Sequence, residues 1–185
     1  KKLVSREWLD NTRDHPVGYT MDPATEGTME HDHIADELAI RTLTASYTDA
    51  INRMDIDDVR PVYDDDAVFT MMDRPSVVGR EPILDVLRAT VARYQLIMQL
   101  IHSGVVQLDG DRAQARWQVT ELQITADGSS RFVAGRYEDE HVRRADGWKF
   151  ARRTFTARYL GDLDLSSGAM PDAPVRFPLW PTESP

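Results

Sequence analysis

Hydrophobic and polar positions along the chain change rhythm twice. From Asp32, the positions Ile34, Leu38, Ile40, Ala45, Tyr47 and Ile51 recur at the spacing of a helix buried on one side, with Asp32 placed to cap it. A shorter helical stretch follows in "IDDVRPVYDDD", where Asp57 is the expected cap and Pro61 falls near the first turn. "DAVFTMMD" predicts a strand, and "VGREPILDVLRATVARY" a third helix with Pro82 near its start. Beyond it the rhythm becomes alternation. "LIMQLIHSGVVQL", "RAQARWQVTELQIT", "SRFVAGRYEDEHVRR" and "GWKFARRTFTARYL" predict four long strands. They are joined by Asp109-Gly110, Asp127-Gly128 and Asp146-Gly147, and Asp-Gly between alternating runs is a strong hairpin signal. Residues 1–31 have no period and are expected to form an extended arm. Residues 161–185 are proline-rich and predict an extended tail, whose Phe177, Leu179 and Trp180 are expected to dock on this chain or a neighbour. The pattern predicts an α+β domain over 32–160, with a curved antiparallel sheet wrapped around the long first helix as a cone-shaped barrel. Such a cone leaves a cavity suited to a small molecule.

The stretch "QLIMQLIHSGVVQLDGD" raises a chemical question. Unbroken alternation puts Leu96, Met98, Leu100, His102, Gly104, Val106 and Leu108 on one face, so an imidazole shares the drier side of the strand. An imidazole in an apolar pocket stays neutral at physiological pH, which is the form a general base needs. Trp117, Met71, Met98, Val133 and Phe155 are expected to line the cavity or else to form the core, and an apolar lining suits a hydrophobic ring-containing molecule. Glu121 continues the face of Ala113, Ala115, Trp117 and Val119 and is expected to point the same way. Arg143, Arg144, Arg152 and Arg153 are expected to form a solvated face.

Composition narrows the classes. The 185 residues are 41% hydrophobic and 29% charged, with net charge -9 and no cysteine. That balance disfavours a nucleic-acid partner and excludes disulfide and thiol chemistry. No apolar run approaches the ~20 residues of a membrane-spanning helix, so no membrane partner is expected, and the cytoplasm is the expected compartment. The His31-Asp32-His33 pair is too small a set to predict a metal, and no glycine-rich phosphate loop or nucleophile elbow occurs. The expected chemistry needs no cofactor.

The stretches "YTDAINRMDIDDVRPVYDDDAVFT", "VGREPI", "IHSGVVQLDGDRAQARW" and "GRYEDEHVRRADGWKFARR" resemble the nuclear transport factor 2-like superfamily in its SnoaL-like branch. That branch includes scytalone dehydratase, hexachlorocyclohexane dehydrochlorinase and bile-acid dehydratase. The resemblance implies a lyase, isomerase or cyclase working by proton abstraction, in a homo-oligomer of three or two chains. It implies His102 as the base and Tyr47 as a polarising hydroxyl. It also implies that Asn52 orients the base, in the place where these relatives carry an aspartate. Asp49 or Glu121 could replace that missing carboxylate, the competing expectation being that both are solvated. The same fold also serves non-catalytic binding proteins and the small subunits of ring-hydroxylating dioxygenases.

Overall fold

The computed structural model describes residues 23–165, with side chains from His33 onward. Its elements are α1 (Pro23–Asn52), a 3₁₀ turn (Asp57–Val62), β1 (Tyr63–Met71), β2 (Val77–Val78), α2 (Arg80–Val91), β3 (Tyr94–Asp109), β4 (Arg112–Thr125), β5 (Ser130–Arg144) and β6 (Gly147–Asp162). The strands form one mixed sheet in the order β2-β1-β6-β5-β4-β3, with β1 parallel to β6 and the other neighbours antiparallel. The sheet does not close, because β2 and β3 remain as edges. It is a curved α+β cone rather than a complete barrel.

From Glu37 onward α1 fills the hollow of the sheet. It buries Ile40, Thr44, Tyr47, Ala50 and Ile51. The Tyr47 ring meets Tyr63, Tyr137 and Phe150 edge-on at centroid distances of 6.2, 6.3 and 5.9 Å, which ties the helix to β1, β5 and β6. Burial of this one face stabilises the helix far more than its intrinsic propensity does.

Two helix starts differ from expectation. α1 begins at Pro23, so residues 23–31 are helix rather than extended arm, and Asp32 lies inside the helix instead of capping it. Proline at a first helical position loses no hydrogen bond, and Gly27 costs only ~1 kcal/mol relative to alanine. The second helix is a 3₁₀ turn with Ile56 at its N-cap and no side-chain cap. Asp57 instead accepts from Arg88 on α2 at 2.7 Å. The three Asp-Gly turns form as expected, with Gly110, Gly128 and Gly147 at positive φ. The segment carrying Phe177, Leu179 and Trp180 lies outside the described residues.

Two irregularities in the sheet decide which side chains face inward. On β3 the pairing with β4 slips between Ile101 and Gly104. Before the slip Ile97 and Gln99 are buried while Met98, Leu100 and His102 are exposed. Beyond it Val106 and Leu108 pack against the core. Gly104 sits against Trp117, where a Cβ would lie 2.0 Å from the indole ring, so no larger residue fits without moving that ring. On β6 the pairing with β5 passes from Phe150 to Arg152 and leaves Ala151 unpaired. Trp148 and Phe150 are therefore buried, and so are Arg153 and Phe155 beyond the slip. An extra residue of this kind reverses the side-chain alternation downstream of it.

Candidate functional site

The slips change the membership of the interior. His102 is exposed on the convex face, where its Nε2 shares a hydrogen bond of 2.8 Å with the Thr120 hydroxyl. The expectation that it stands on the dry face is corrected. Alternation along β3 is broken, because the slip just beyond Ile101 divides the strand into halves of opposite parity. Met98 is corrected with it, being 44% exposed on the same outer face. Trp117, Val133 and Phe155 are buried in the core, Met71 packs against it, and Glu121 is half-buried.

Asn52 does not meet His102. Its amide nitrogen donates to the Gln99 carbonyl at 2.9 Å, and its amide oxygen accepts from the Gln99 backbone N–H at 2.6 Å. Asn52 thus pins the end of α1 to the free edge of β3. The inward-pointing side chain beside that contact is Gln99. Its amide nitrogen donates to Glu121 at 2.5 Å and to the Tyr137 hydroxyl at 2.9 Å. The other Glu121 oxygen accepts from Gln123 at 2.7 Å, so this carboxylate is held by two amides. Asp49 is exposed and paired with Arg53, which leaves Glu121 as the inward member of those two carboxylates. We expect Asn52→Ala to lose both backbone contacts and ~1–3 kcal/mol of stability, read from denaturant unfolding. An unchanged midpoint would show that the pin contributes nothing.

The deepest polar group comes from β5 and β6. Tyr137, Asp139 and His141 alternate inward along β5, and Arg153 lies directly across from Asp139. Asp139 and Arg153 have no exposed side-chain surface, and their charged atoms are 3.7 Å apart, beyond hydrogen-bonding reach. The guanidinium is enclosed by the rings of Tyr137, Phe150 and Tyr47, with 3.7, 4.4 and 4.2 Å from its carbon to their centroids. This corrects the expectation that Arg153 is solvated; Arg152, one residue earlier, is exposed and lies 3.5 Å from Glu140.

Among the described residues neither Asp139 oxygen has a hydrogen-bond partner. The same holds for all three Arg153 nitrogens, both His141 ring nitrogens, Trp117 Nε1, the Tyr63 hydroxyl and Gln99 Oε1. Buried polar atoms are ordinarily paired, so this cluster stands out from the apolar core around it. Burial pushes the Asp139 carboxyl up to about 7, against the opposing pull of Arg153 and the smaller effect of the nearby Trp117 indole. Burial and the adjacent Arg153 charge together bring His141 down to about 3, so its ring is neutral. Burial also raises the Tyr47, Tyr63 and Tyr137 hydroxyls, which keeps all three protonated. The arrangement therefore offers a proton acceptor poised near neutrality, a fixed cation and phenolic donors between aromatic walls.

A signal for this group was present in the sequence. Counting back from Phe155 in twos places Arg153 inward, and counting forward from Val133 places Tyr137, Asp139 and His141 inward. Four charged neighbours, Glu138, Glu140, Arg152 and Arg143, masked that parity.

An open, curved α+β sheet packed on a helix is a fold that hosts binders and lyases alike. Residues 32–154 match the SnoaL-like domain, and the chain belongs to that family. An uncharacterized protein of Mycobacterium tuberculosis is 29% identical over 126 residues, covering 66% of this chain and 86% of that one. A solved structure described as a proposed aromatic ring hydroxylase from Novosphingobium aromaticivorans is 30% identical. It superposes with a TM-score of 0.67 over 70% of this chain and 94% of that chain. Hexachlorocyclohexane dehydrochlorinase of type 3 from Novosphingobium barchaimii is 21% identical, with a TM-score of 0.68 over 72% and 94% of the two chains, and shares the fold.

Proposed function

We propose that this protein is a cofactor-independent enzyme of lyase or isomerase type, acting on a small ring-containing molecule by moving a proton. The observation that carries the reading is the Asp139–Arg153 pair, fully buried, 3.7 Å apart and hydrogen-bonded to nothing among the described residues. A general base works best when its pKa lies near the operating pH, and Asp139 lies there. A fixed guanidinium in a water-poor site stabilises negative charge as it develops on a substrate oxygen. In this reading Asp139 takes a proton from carbon next to a carbonyl, and Arg153 holds the enolate oxygen. Tyr47 assists as a neutral hydrogen-bond donor. Dehydrochlorinase and dehydratase structures among the fold's neighbours lend the reaction class support.

Gln99 is the inward residue on the strand where the look-alike enzymes keep their histidine base, and Asn52 replaces their aspartate. Neither amide can accept a proton at neutral pH, so the base must come from elsewhere in the interior. The experiment is solvent exchange. Cyclic and aryl ketones are incubated with the protein in D₂O, and loss of the proton signal beside the carbonyl is followed by NMR. Exchange is expected with the wild type and should fall ~10²-fold or more in Asp139→Asn. Undiminished exchange in that variant would remove Asp139 from the mechanism.

A second reading is a non-catalytic binding protein or the small subunit of a ring-hydroxylating oxygenase. It is favoured by the two amides in place of the dyad and by the relative described as a ring hydroxylase. Absence of exchange with every ketone, together with a copurifying large subunit, would select it. We also propose self-association through the convex face, where Met98, Leu100, Val105 and Tyr159 are exposed together with His102.

A further inference from the structure

We propose that residues 174–181 of this chain dock in the open groove where the ends of α1 and α2 meet the start of β3. They form an intramolecular strap, held there by Phe177, Trp180 and Arg176. The proposal stands apart from the proton-transfer reading, because neither Asp139 nor Arg153 lines the groove.

The groove is a cavity of about 560 Å³ with an apolar floor. Ile56 and Val91 are buried in that floor, while Met54 and Tyr94 are half-buried and pack against the core. Ala92 is exposed at its side. Met54 is held in an unusual way. It follows α1 at φ 58, a left-handed position where helices usually place glycine. The backbone N–H groups of Asp55 and Met54 donate to the Ala50 and Ile51 carbonyls, both at 2.9 Å, and fix it there. A glycine would relieve that conformation but would leave the groove without its thioether. Methionine sulfur makes favourable contacts with aromatic rings, which points to an aromatic occupant.

The rim sets the charge of that occupant. Arg53 donates to Asp49, Asp55 and Asp58, and Arg88 donates to Asp57 and Asp85. Two guanidinia thus share five carboxylates, which leaves the rim negative. A segment that fits is apolar, aromatic and positively charged.

The sequence beyond the described residues contains such a segment. Residues 174–181 read "PVRFPLWP", and Arg176 is the sole basic residue of 166–185. Prolines at 174, 178 and 181 predict polyproline geometry, with three residues per turn. That period puts Pro174, Phe177 and Trp180 on one face, with Arg176 and Leu179 on the next. The prolines also lack an N–H that would need a partner on leaving water. The described residues end close by. Leu163 donates its N–H to the Ser130 carbonyl at the start of β5. Ser130 pairs with Ile124 on β4, and the adjacent Thr125 pairs with Tyr94 at the groove. Three strand spacings of ~4.8 Å, ~14 Å in all, separate Leu163 from Tyr94. Residues 166–173 drawn out span ~26 Å, so the segment reaches the groove with slack.

The test uses the full chain with Ala92→Cys and Leu179→Cys, which become its only cysteines, and a short bismaleimide. We expect a bridge within one chain, read on a denaturing gel as a mobility shift without a doubling of mass. Its yield should exceed by ~10-fold that of Gln114→Cys with Leu179→Cys, whose first position is exposed on β4 away from the groove. Met54→Gly and Arg176→Glu, each added to the Ala92 pair, should lower the yield several-fold with an unchanged circular dichroism spectrum. A bridge between two chains would assign the groove to a neighbour's tail, and equal yields for both cysteine pairs would mean a free tail. Either result overturns the proposal, as does a yield that neither Met54→Gly nor Arg176→Glu lowers.

Discussion

With Arg153→Met and Asp139→Leu combined, the protein is expected to unfold several degrees above the wild type. The pair is buried without hydrogen bonds, so each charge has lost its water and gained little in return. Apolar residues of similar volume in place of such a pair are neutral or stabilising by up to about 4 kcal/mol. In a chain of this size each kcal/mol moves the midpoint by ~2–4 °C. Arg153→Met alone should cost little near neutral pH, because Asp139, with its pKa near 7, is already about half protonated there. Above that pH the single variant should lose ~1.4 kcal/mol per pH unit relative to wild type, as the carboxyl must take a proton from an increasingly alkaline solution. Scanning calorimetry checks both parts. A double variant that melts below the wild type would mean that the pair holds the cone together, and its role as a site would weaken accordingly.

The second large effect is a pair of opposite pH slopes that cancel in the wild type. Asp139 has its pKa raised from 3.8 to about 7, so the folded protein binds more protons than the unfolded chain between those values. Its contribution is fully present below 3.8 and is lost as pH rises toward 7, by ~4 kcal/mol in all. His141 has its pKa lowered from 6.5 to about 3, so here the unfolded chain binds more protons. Its contribution is fully present above 6.5 and is lost as pH falls toward 3, by a similar amount. Between about pH 4 and 6.5 the two slopes oppose, and these groups together should leave stability nearly flat. His141→Phe should expose the Asp139 slope, giving a protein that weakens as pH rises through this window. Asp139→Asn should expose the histidine slope, with the reverse behaviour. Urea midpoints at several pH values would measure both, and parallel curves for the two variants would show that these groups are not buried as described.

The fold was largely legible, and the site much less so. Alternating runs closed by Asp-Gly place β3, β4, β5 and β6 within a few residues, because turn chemistry and a two-residue period are both local properties. The inward set depends on where alternation breaks, and the breaks are tertiary. The slip on β3 lies where Gly104 makes room for Trp117 on β4, and Ala151 is skipped between Phe150 and Arg153, which are both held in the core. Neither position carries a sequence mark beyond a glycine or an alanine. Reading straight through the first break turned His102 inward in place of Gln99. Charged neighbours such as the exposed Arg152 hid Arg153, although its parity with Phe155 is inward.

The contact between Asn52 and Gln99 also bears on how the protein behaves in concentrated solution. β3 is an edge strand of 16 residues with Met98, Leu100 and Val105 exposed along it, a template on which another chain could build a further strand. By taking both backbone groups of Gln99, the Asn52 amide denies an incoming strand one rung near the middle of that template. An alanine there would free both backbone groups of Gln99 for such pairing, next to the exposed apolar residues.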